Sequence, residues 1–154
     1  MNPIQRIASE FQVETDACSC AGAAAKPNRL QGHVVICSDW QQCLVVQELM
    51  ACCARTYGFE DFAIRKATKE ALANAFKHGN RSAPEKCIRI DYEVDESEFR
   101  ATISDEGYGF NHEARDCAAT PLPTESGRGL GLMRHYMTVR FNDVGNRVEL
   151  SKRR

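Results

Sequence analysis

Glu70-Ala-Leu-Ala-Asn74-Ala-Phe-Lys-His78-Gly79-Asn80 has the pattern of the last turns of an amphipathic helix, which Gly79 and Asn80 end. The apolar positions that share one face of this helix are Ile64, Ala67, Ala71, Leu72 and Ala75. Glu70, Asn74 and Lys77 lie together along one flank of that face, because positions i, i+4 and i+7 are neighbours on a helix. A carboxylate, an amide and an ammonium on this flank indicate either an ordinary solvated surface or the rim of a site.

Length and composition restrict the class of protein around this helix. The chain has 154 residues, which is the size of one domain, and a net charge of −1, which gives no general attraction to nucleic acid or to anionic membranes. No segment approaches the run of about 18 apolar residues that spans a membrane, and the N-terminus lacks the pattern of a secretory signal. We therefore expect a cytoplasmic domain that binds neither nucleic acid nor membrane.

The first 32 residues have no readable pattern, so we predict an N-terminal extension over 1–32 and one folded domain over 33–154. Val34-Val-Ile-Cys37 is a β-branched run typical of a strand. Ser38 followed by Gln41 predicts a capping box that begins a helix over 39–57, and the helix of Glu70 is expected over 60–78.

The second half of the chain predicts mainly strands. Apolar and polar residues alternate over 87–94 and again from Phe99 to Ile103, which indicates a hairpin, and a second hairpin is expected to close the chain. Helices and antiparallel strands are grouped rather than alternating. This grouping predicts an α+β fold, a two-layer sandwich in which helices cover one face of a mixed, mainly antiparallel sheet.

Two glycine-bearing stretches follow the Glu70 helix. Asp105-Glu-Gly107-Tyr-Gly109-Phe110 comes at the end of a predicted strand, and Gly127-Arg-Gly129-Leu-Gly131 comes at the expected mouth of a helix over 130–138. A helix N-terminus binds anions through its free N–H groups, and an arginine adds a bidentate phosphate donor. Each stretch alone is also compatible with a plain turn. Neither is a P-loop or a dinucleotide-binding motif.

In this order the three segments resemble the N, G1 and G2 boxes of the GHKL ATPase superfamily (the Bergerat-type ATP-binding fold), over residues 33–152. Within it the chain is most similar to the small anti-sigma-factor serine/threonine kinases. That similarity lies in Ser38-Asp-Trp40, in Lys69 to Asn80 and in Ser126 to Met137.

The resemblance implies a set of roles. It implies that Glu70 is the general base, that Asn74 holds Mg²⁺ and that Asp105 accepts a hydrogen bond from the adenine of ATP. Gly107 and Gly109 would border the adenine. The residues expected to contact the phosphates are Gly127, Arg128, Gly129, Leu130 and Gly131. The loop over 111–126 would be a lid on the nucleotide.

The resemblance also implies partners: an anti-sigma-factor antagonist that receives the phosphoryl group, a sigma factor that the kinase sequesters, and a second copy of the chain in a homodimer. Two alternatives stay open. The domain could bind ATP and act by sequestration without phosphoryl transfer, or it could be a detached catalytic domain of a histidine kinase.

The chain has 8 cysteines, at positions 18, 20, 37, 43, 52, 53, 87 and 117. Without a Cys-x-x-Cys pair or an export signal, we predict that they are mainly buried or half-buried thiols that act as small apolar residues. Metal binding and redox sensing are the alternatives.

Overall fold

A computed structural model describes residues 27–110 and 125–154. The first element is strand β1 (Arg29–Cys37), in which Leu30, Val34 and Ile36 are buried. This strand begins four residues before residue 33, where the folded domain was predicted to start, because Leu30 already belongs to the alternation of buried and exposed side chains.

Two helices follow and pack against each other. They are α1 (Trp40–Thr56) and α2 (Asp61–Asn74), and α2 continues into a wider π-helical turn (Ala75–Gly79). Both agree with the predicted helices, but the predicted cap of α1 was wrong. Asp39 caps the helix by accepting from the N–H of Gln42 at 3.0 Å, whereas Ser38 is buried. Asp39 is the cap in place of Ser38 because a carboxylate accepts a hydrogen bond more strongly than a hydroxyl does.

The rest of the described chain supplies four strands and one helix. They are β2 (Cys87–Asp95), β3 (Glu98–Asp105), α3 (Glu125–Tyr136), β4 (Thr138–Phe141) and β5 (Arg147–Arg153). The strands form one sheet in the order β1-β2-β3-β5-β4, and each described pairing is antiparallel. The predicted α+β class and both predicted hairpins are confirmed.

The three helices cover one face of this sheet. Most strand residues that point toward the helices are buried, and these residues are Leu30, Val34, Ile36, Ile88, Ile90, Tyr92, Val94, Phe99, Ala101, Ile103, Val148 and Leu150. The helices contribute the apolar face that the sequence predicted, including Ile64, Ala71 and Leu72. The other face of the sheet carries mostly polar and charged side chains.

Four charged side chains connect α1 to α2. Arg65 binds Glu48 and Asp61, and Arg55 binds the same two carboxylates. The hydrogen bond from Arg65 lowers the pKa of Glu48, and the one from Arg55 lowers the pKa of Asp61. Exposed ion pairs of this kind each contribute about 0.2–1 kcal/mol, so the cluster fixes the register of the two helices more than it stabilises them.

Several expectations lie outside the described residues. These are the N-terminal extension up to residue 26, most of the expected lid, and Cys18, Cys20 and Cys117. In the part of the chain that the structure does describe, the helices lack the length and apolar character needed to cross a membrane.

Candidate functional site

A cavity lies between α2, α3 and the ends of β3 and β5. Its apolar walls are formed by Ala71, Ala75, Ile103, Leu130, Met133, Phe141 and Val148, and Phe110 packs edge-to-face on Phe141 at 5.2 Å between ring centroids. Its polar lining comes from Asn74, His78, Asp105, Asn146 and Arg147. A cavity with apolar walls and a few polar groups suits a flat, partly apolar ligand that needs defined hydrogen bonds.

Asp105 ends β3 and points its carboxylate toward the helix end. Its Oδ1 accepts from the N–H of Gly107 at 2.8 Å. Burial raises the pKa of Asp105, while the hydrogen bond from Gly107 and the charge of Lys86 act in the opposite direction. A methyl group on Gly79 would overlap this carboxyl group, so the glycine that ends the helix is what lets α2 lie so close to Asp105.

Asn80 connects this helix end to the sheet and is fully buried. Its Nδ2 donates to the carbonyl of Cys87 at 2.9 Å, and its Oδ1 accepts from the N–H of Glu106 at 2.8 Å. Its own N–H closes the π-helical turn on the carbonyl of Ala75 at 2.8 Å. Sequence reasoning treated Asn80 only as a helix stop, and the structure shows that it fixes the segment next to Asp105.

The β4–β5 turn forms the opposite wall. The N–H of Asp105 donates to the carbonyl of Asn146 at 3.0 Å, and the side chain of Asn142 accepts from two N–H groups of the turn. Gly109 and Gly145 have φ values of +79° and +84°. The two segments that carry these glycines cross so closely that a side chain on either glycine would overlap the backbone of the opposite segment. The turn therefore holds the chain after Asp105 in place through its backbone.

Glu70 lies at the rim of the cavity, one turn before Asn74, against α3. A methyl group on Gly129 would lie 2.8 Å from Glu70 Oε2 and 3.9 Å from Asn74 Nδ2. Gly129 is buried, and the segment Gly127–Gly131 thus packs directly against the helix segment that carries Glu70 and Asn74.

The expectation that Gly127–Gly131 forms a loop at a helix mouth was wrong. α3 begins at Glu125, so these glycines lie inside its first turns. Leu130, Met133 and Met137 form an apolar stripe that packs against the core, and this packing offsets the helix-breaking tendency of glycine. The free N–H groups of the first turn consequently belong to residues before Gly129.

The structure brings most of the predicted site residues together. Asn74, Asp105, Gly109 and Leu130 line the cavity, Gly107 adjoins Asp105, and Glu70 and Gly129 meet at the rim. Gly127 lies in the first turn of α3. Arg128 and Gly131 are exposed, and Gly131 faces open space.

Sequence reasoning missed several cavity residues. It did not assign His78, Met133, Asn146 or Arg147 to the site, although all four line the cavity. The spacing of Asn74 and His78 by four residues was a usable signal, since such residues share a helix face. The register of the closing hairpin, which places Asn146 and Arg147, had no such signal.

The side chains around the cavity suit a metal ion that is held partly by a bound ligand. The described residues hold no cluster of three or more His, Cys, Asp or Glu side chains that could bind a metal alone. Mg²⁺ held by substrate phosphates needs only one or two protein ligands and keeps its other positions for water. Asn74, with Glu70 one turn away, fits that case.

Comparison with known proteins agrees with this geometry. Residues 23–152 match the family model of the histidine kinase-like ATPase domain. The chain is 35% identical over 78 residues to a protein of Halalkalibacterium halodurans named anti-sigma F factor, an alignment that covers 48% of this chain and 53% of the relative. It is 37% identical over 97 residues to an anti-sigma F factor of Bacillus cytotoxicus, covering 58% of this chain and 66% of the relative.

The chain thus spans between about half and two thirds of the length of these curated relatives. The family model, by contrast, covers almost the whole described sheet and all three helices. The resemblance drawn from the three sequence segments is confirmed, and the chain belongs to the histidine kinase-like ATPase domain family.

Proposed function

We propose that this protein binds ATP with Mg²⁺ in the cavity and acts as an anti-sigma factor with serine/threonine protein kinase activity. The observation that carries the proposal is the convergence of Asn74 and Asp105 on one cavity, with Glu70 at its rim against Gly129. The two relatives named anti-sigma F factor support the regulatory part.

Asp105 selects the base in this proposal. Its Oδ1 already accepts from Gly107, so Oδ2 is the oxygen that accepts from the exocyclic amino group of adenine. Guanine presents a carbonyl oxygen at the corresponding position, which a carboxylate repels. The apolar walls at Ala75, Ile103 and Val148 enclose the two faces of the ring.

Asn74 would hold the metal through its side-chain oxygen. Mg²⁺ bound with ATP would supply charge neutralisation for the phosphates. Arg128, exposed on the first turns of α3, and the free N–H groups of that turn contribute further positive potential.

Glu70 acts as the base on the acceptor protein. The hydroxyl oxygen of a serine or threonine bonds to the γ-phosphorus, the bond to the β-phosphate oxygen breaks, and Glu70 takes the hydroxyl proton as ADP leaves. Such transfers depend mainly on positioning and charge neutralisation, so a site with one base and few charges is sufficient.

The partners in this proposal are an antagonist protein that carries the acceptor hydroxyl and a sigma factor that the kinase sequesters. Homodimerisation and a cytoplasmic location remain predictions from the sequence.

The test uses γ-labelled ATP, Mg²⁺ and a candidate antagonist protein. We expect acid-stable label on the antagonist, and we expect Glu70→Gln to abolish transfer while ATP affinity by calorimetry stays near that of the natural chain. Acid-labile label would indicate a histidine kinase domain, and ATP binding without label would indicate sequestration alone. Asn74→Ala is the matched variant that should remove the dependence of ATP affinity on Mg²⁺.

A further inference from the structure

Three of the described cysteines lie on α1 and two lie on the sheet. On α1, Cys52 is half-buried, whereas Cys43 and Cys53 are buried, and burial raises their pKa values to about 11 and about 12 respectively. Thiols of this kind are unreactive, because the thiolate is the nucleophile. Cys37 is exposed and Cys87 is half-buried, and both lie on the face of the sheet that the helices leave open.

Cys37 and Cys87 are directly opposite each other in the β1–β2 ladder. The N–H of Cys37 donates to Gln42 Oε1 at 3.0 Å, and the N–H of Cys87 donates to Glu106 Oε2. Both amide groups are therefore used by side chains rather than by the opposite strand. The next pair does bond across the strands, from Ser38 N–H to the carbonyl of Lys86 at 2.9 Å.

This arrangement is the non-hydrogen-bonded type of antiparallel pair, in which the two Cα atoms are about 4.5 Å apart and the side chains are closest. Disulfides form between residues whose Cα atoms are about 4.4–6.8 Å apart. The ladder therefore holds two reachable thiols on the same face at a separation that a disulfide accepts.

We propose that Cys37 and Cys87 form a dithiol site that an oxidant such as hydrogen peroxide converts to a cross-strand disulfide. The thiolate of the more exposed Cys37 attacks one peroxide oxygen, the O–O bond breaks, and the hydroxide that leaves takes a proton to become water. The sulfur of Cys87 then attacks the Cys37 sulfenic acid, the S–O bond breaks, and the leaving hydroxide takes the Cys87 proton. In total, two thiols and one peroxide give one disulfide and two waters.

The disulfide also reaches the cavity. The carbonyl of Cys87 accepts from Asn80, and its N–H holds Glu106, which follows Asp105. The Cα separation typical of a non-hydrogen-bonded pair is near the short end of the range for disulfides, so we expect that closing the bond pushes Cys87 away from β1 and against these two partners. Oxidation weakens nucleotide binding by this route, a step that rests on the proposed nucleotide site.

The test begins with native protein treated with hydrogen peroxide, alkylated, digested and mapped by mass spectrometry. We expect a peptide that links Cys37 to Cys87, lost in Cys37→Ser and in Cys87→Ser and retained in the control Cys52→Ser. Two free thiols should disappear and return with dithiothreitol. Retention of both thiols at peroxide levels that oxidise free cysteine refutes the dithiol site, as does a map dominated by any other pair.

Calorimetry of ATP binding to the reduced and oxidised chains tests the second step. We expect a several-fold weaker affinity after oxidation, and no change in Cys37→Ser treated in the same way. Equal affinities in the two forms refute the coupling. Failure of the reduced chain to bind ATP refutes the nucleotide site and the coupling together, while the peptide map still decides the dithiol site.

Discussion

Replacing Asn80 by alanine should destabilise the protein more than any exposed change nearby. The variant leaves the carbonyl of Cys87 and the N–H of Glu106 without the partner they have in the natural chain. An unsatisfied buried group costs about 1–3 kcal/mol. Cys87 is half-buried and Glu106 is exposed, so water relieves part of this cost, and we expect a loss of about 2–3 kcal/mol in total.

Urea unfolding followed by far-ultraviolet circular dichroism measures this loss. Lys77→Ala is the matched control, because Lys77 is exposed on the same turn and should change stability by less than about 0.5 kcal/mol. Asn80→Asp separates the two bonds. The carboxylate still accepts from Glu106 but cannot donate to the Cys87 carbonyl, and it places a charge in a fully buried position.

The same variants test the link to the cavity. Once Glu106 is released, Asp105 loses its fixed position, so Asn80→Ala should weaken ATP binding and reduce discrimination against GTP at temperatures where it is folded. A loss of stability below about 0.5 kcal/mol would contradict the bridging role. If a folded Asn80→Ala variant discriminated between ATP and GTP as the natural chain does, Asn80 would contribute to stability and not to the choice of nucleotide.

Three further predictions concern single sites. Asp105→Asn should stabilise the ligand-free protein at neutral pH, because burial raises the pKa of Asp105 and its charged form costs stability. The gain, measured by thermal unfolding, should shrink as pH falls through the raised pKa and should be lost below the ordinary pKa of an aspartate. ATP affinity, measured by calorimetry, should drop. Gly131→Ala should stabilise α3 by about 0.5–1 kcal/mol, because a methyl group at this position faces open space. Gly129→Ala should stabilise the helix less and should slow phosphoryl transfer, since its methyl group displaces Glu70. Equal stabilisation by the two variants would contradict the contact between Gly129 and Glu70. A double-mutant cycle on Glu48 and Arg65 should give a coupling of about 0.2–1 kcal/mol that falls with added salt, and a coupling that is independent of salt would show that the pair is not electrostatic.

Local patterns predicted the parts of the fold that depend on them. The helix of Glu70 and the 87–105 hairpin follow from periodicity, because a buried face has to repeat every 3.6 or 2 residues. Asn74 and Asp105 were assigned to the site through the resemblance of the three segments to a known family, because each segment alone was also compatible with an ordinary surface or a turn.

Other parts of the site depend on contacts that are distant in sequence. Asn80 bonds to Glu106, 26 positions away, and nothing in the local pattern reports that bond. The helical state of Gly127–Gly131 was missed for a related reason. Glycine propensity disfavours a helix, and the packing of Met133 and Met137 against the core outweighs it.

The π-helical turn at Ala75–Gly79 changes the phase of the helix at the point where the helix meets the site. Its bond from Asn80 N–H to the Ala75 carbonyl spans five residues instead of four, so the turn contains one residue more than an α-helix would place there. Deleting one residue from this turn would restore the ordinary phase and rotate Gly79 away from the Asp105 carboxyl group. The short distance between the end of the helix and the end of β3 therefore depends on the number of residues in the π-helical turn, and no single side chain determines it.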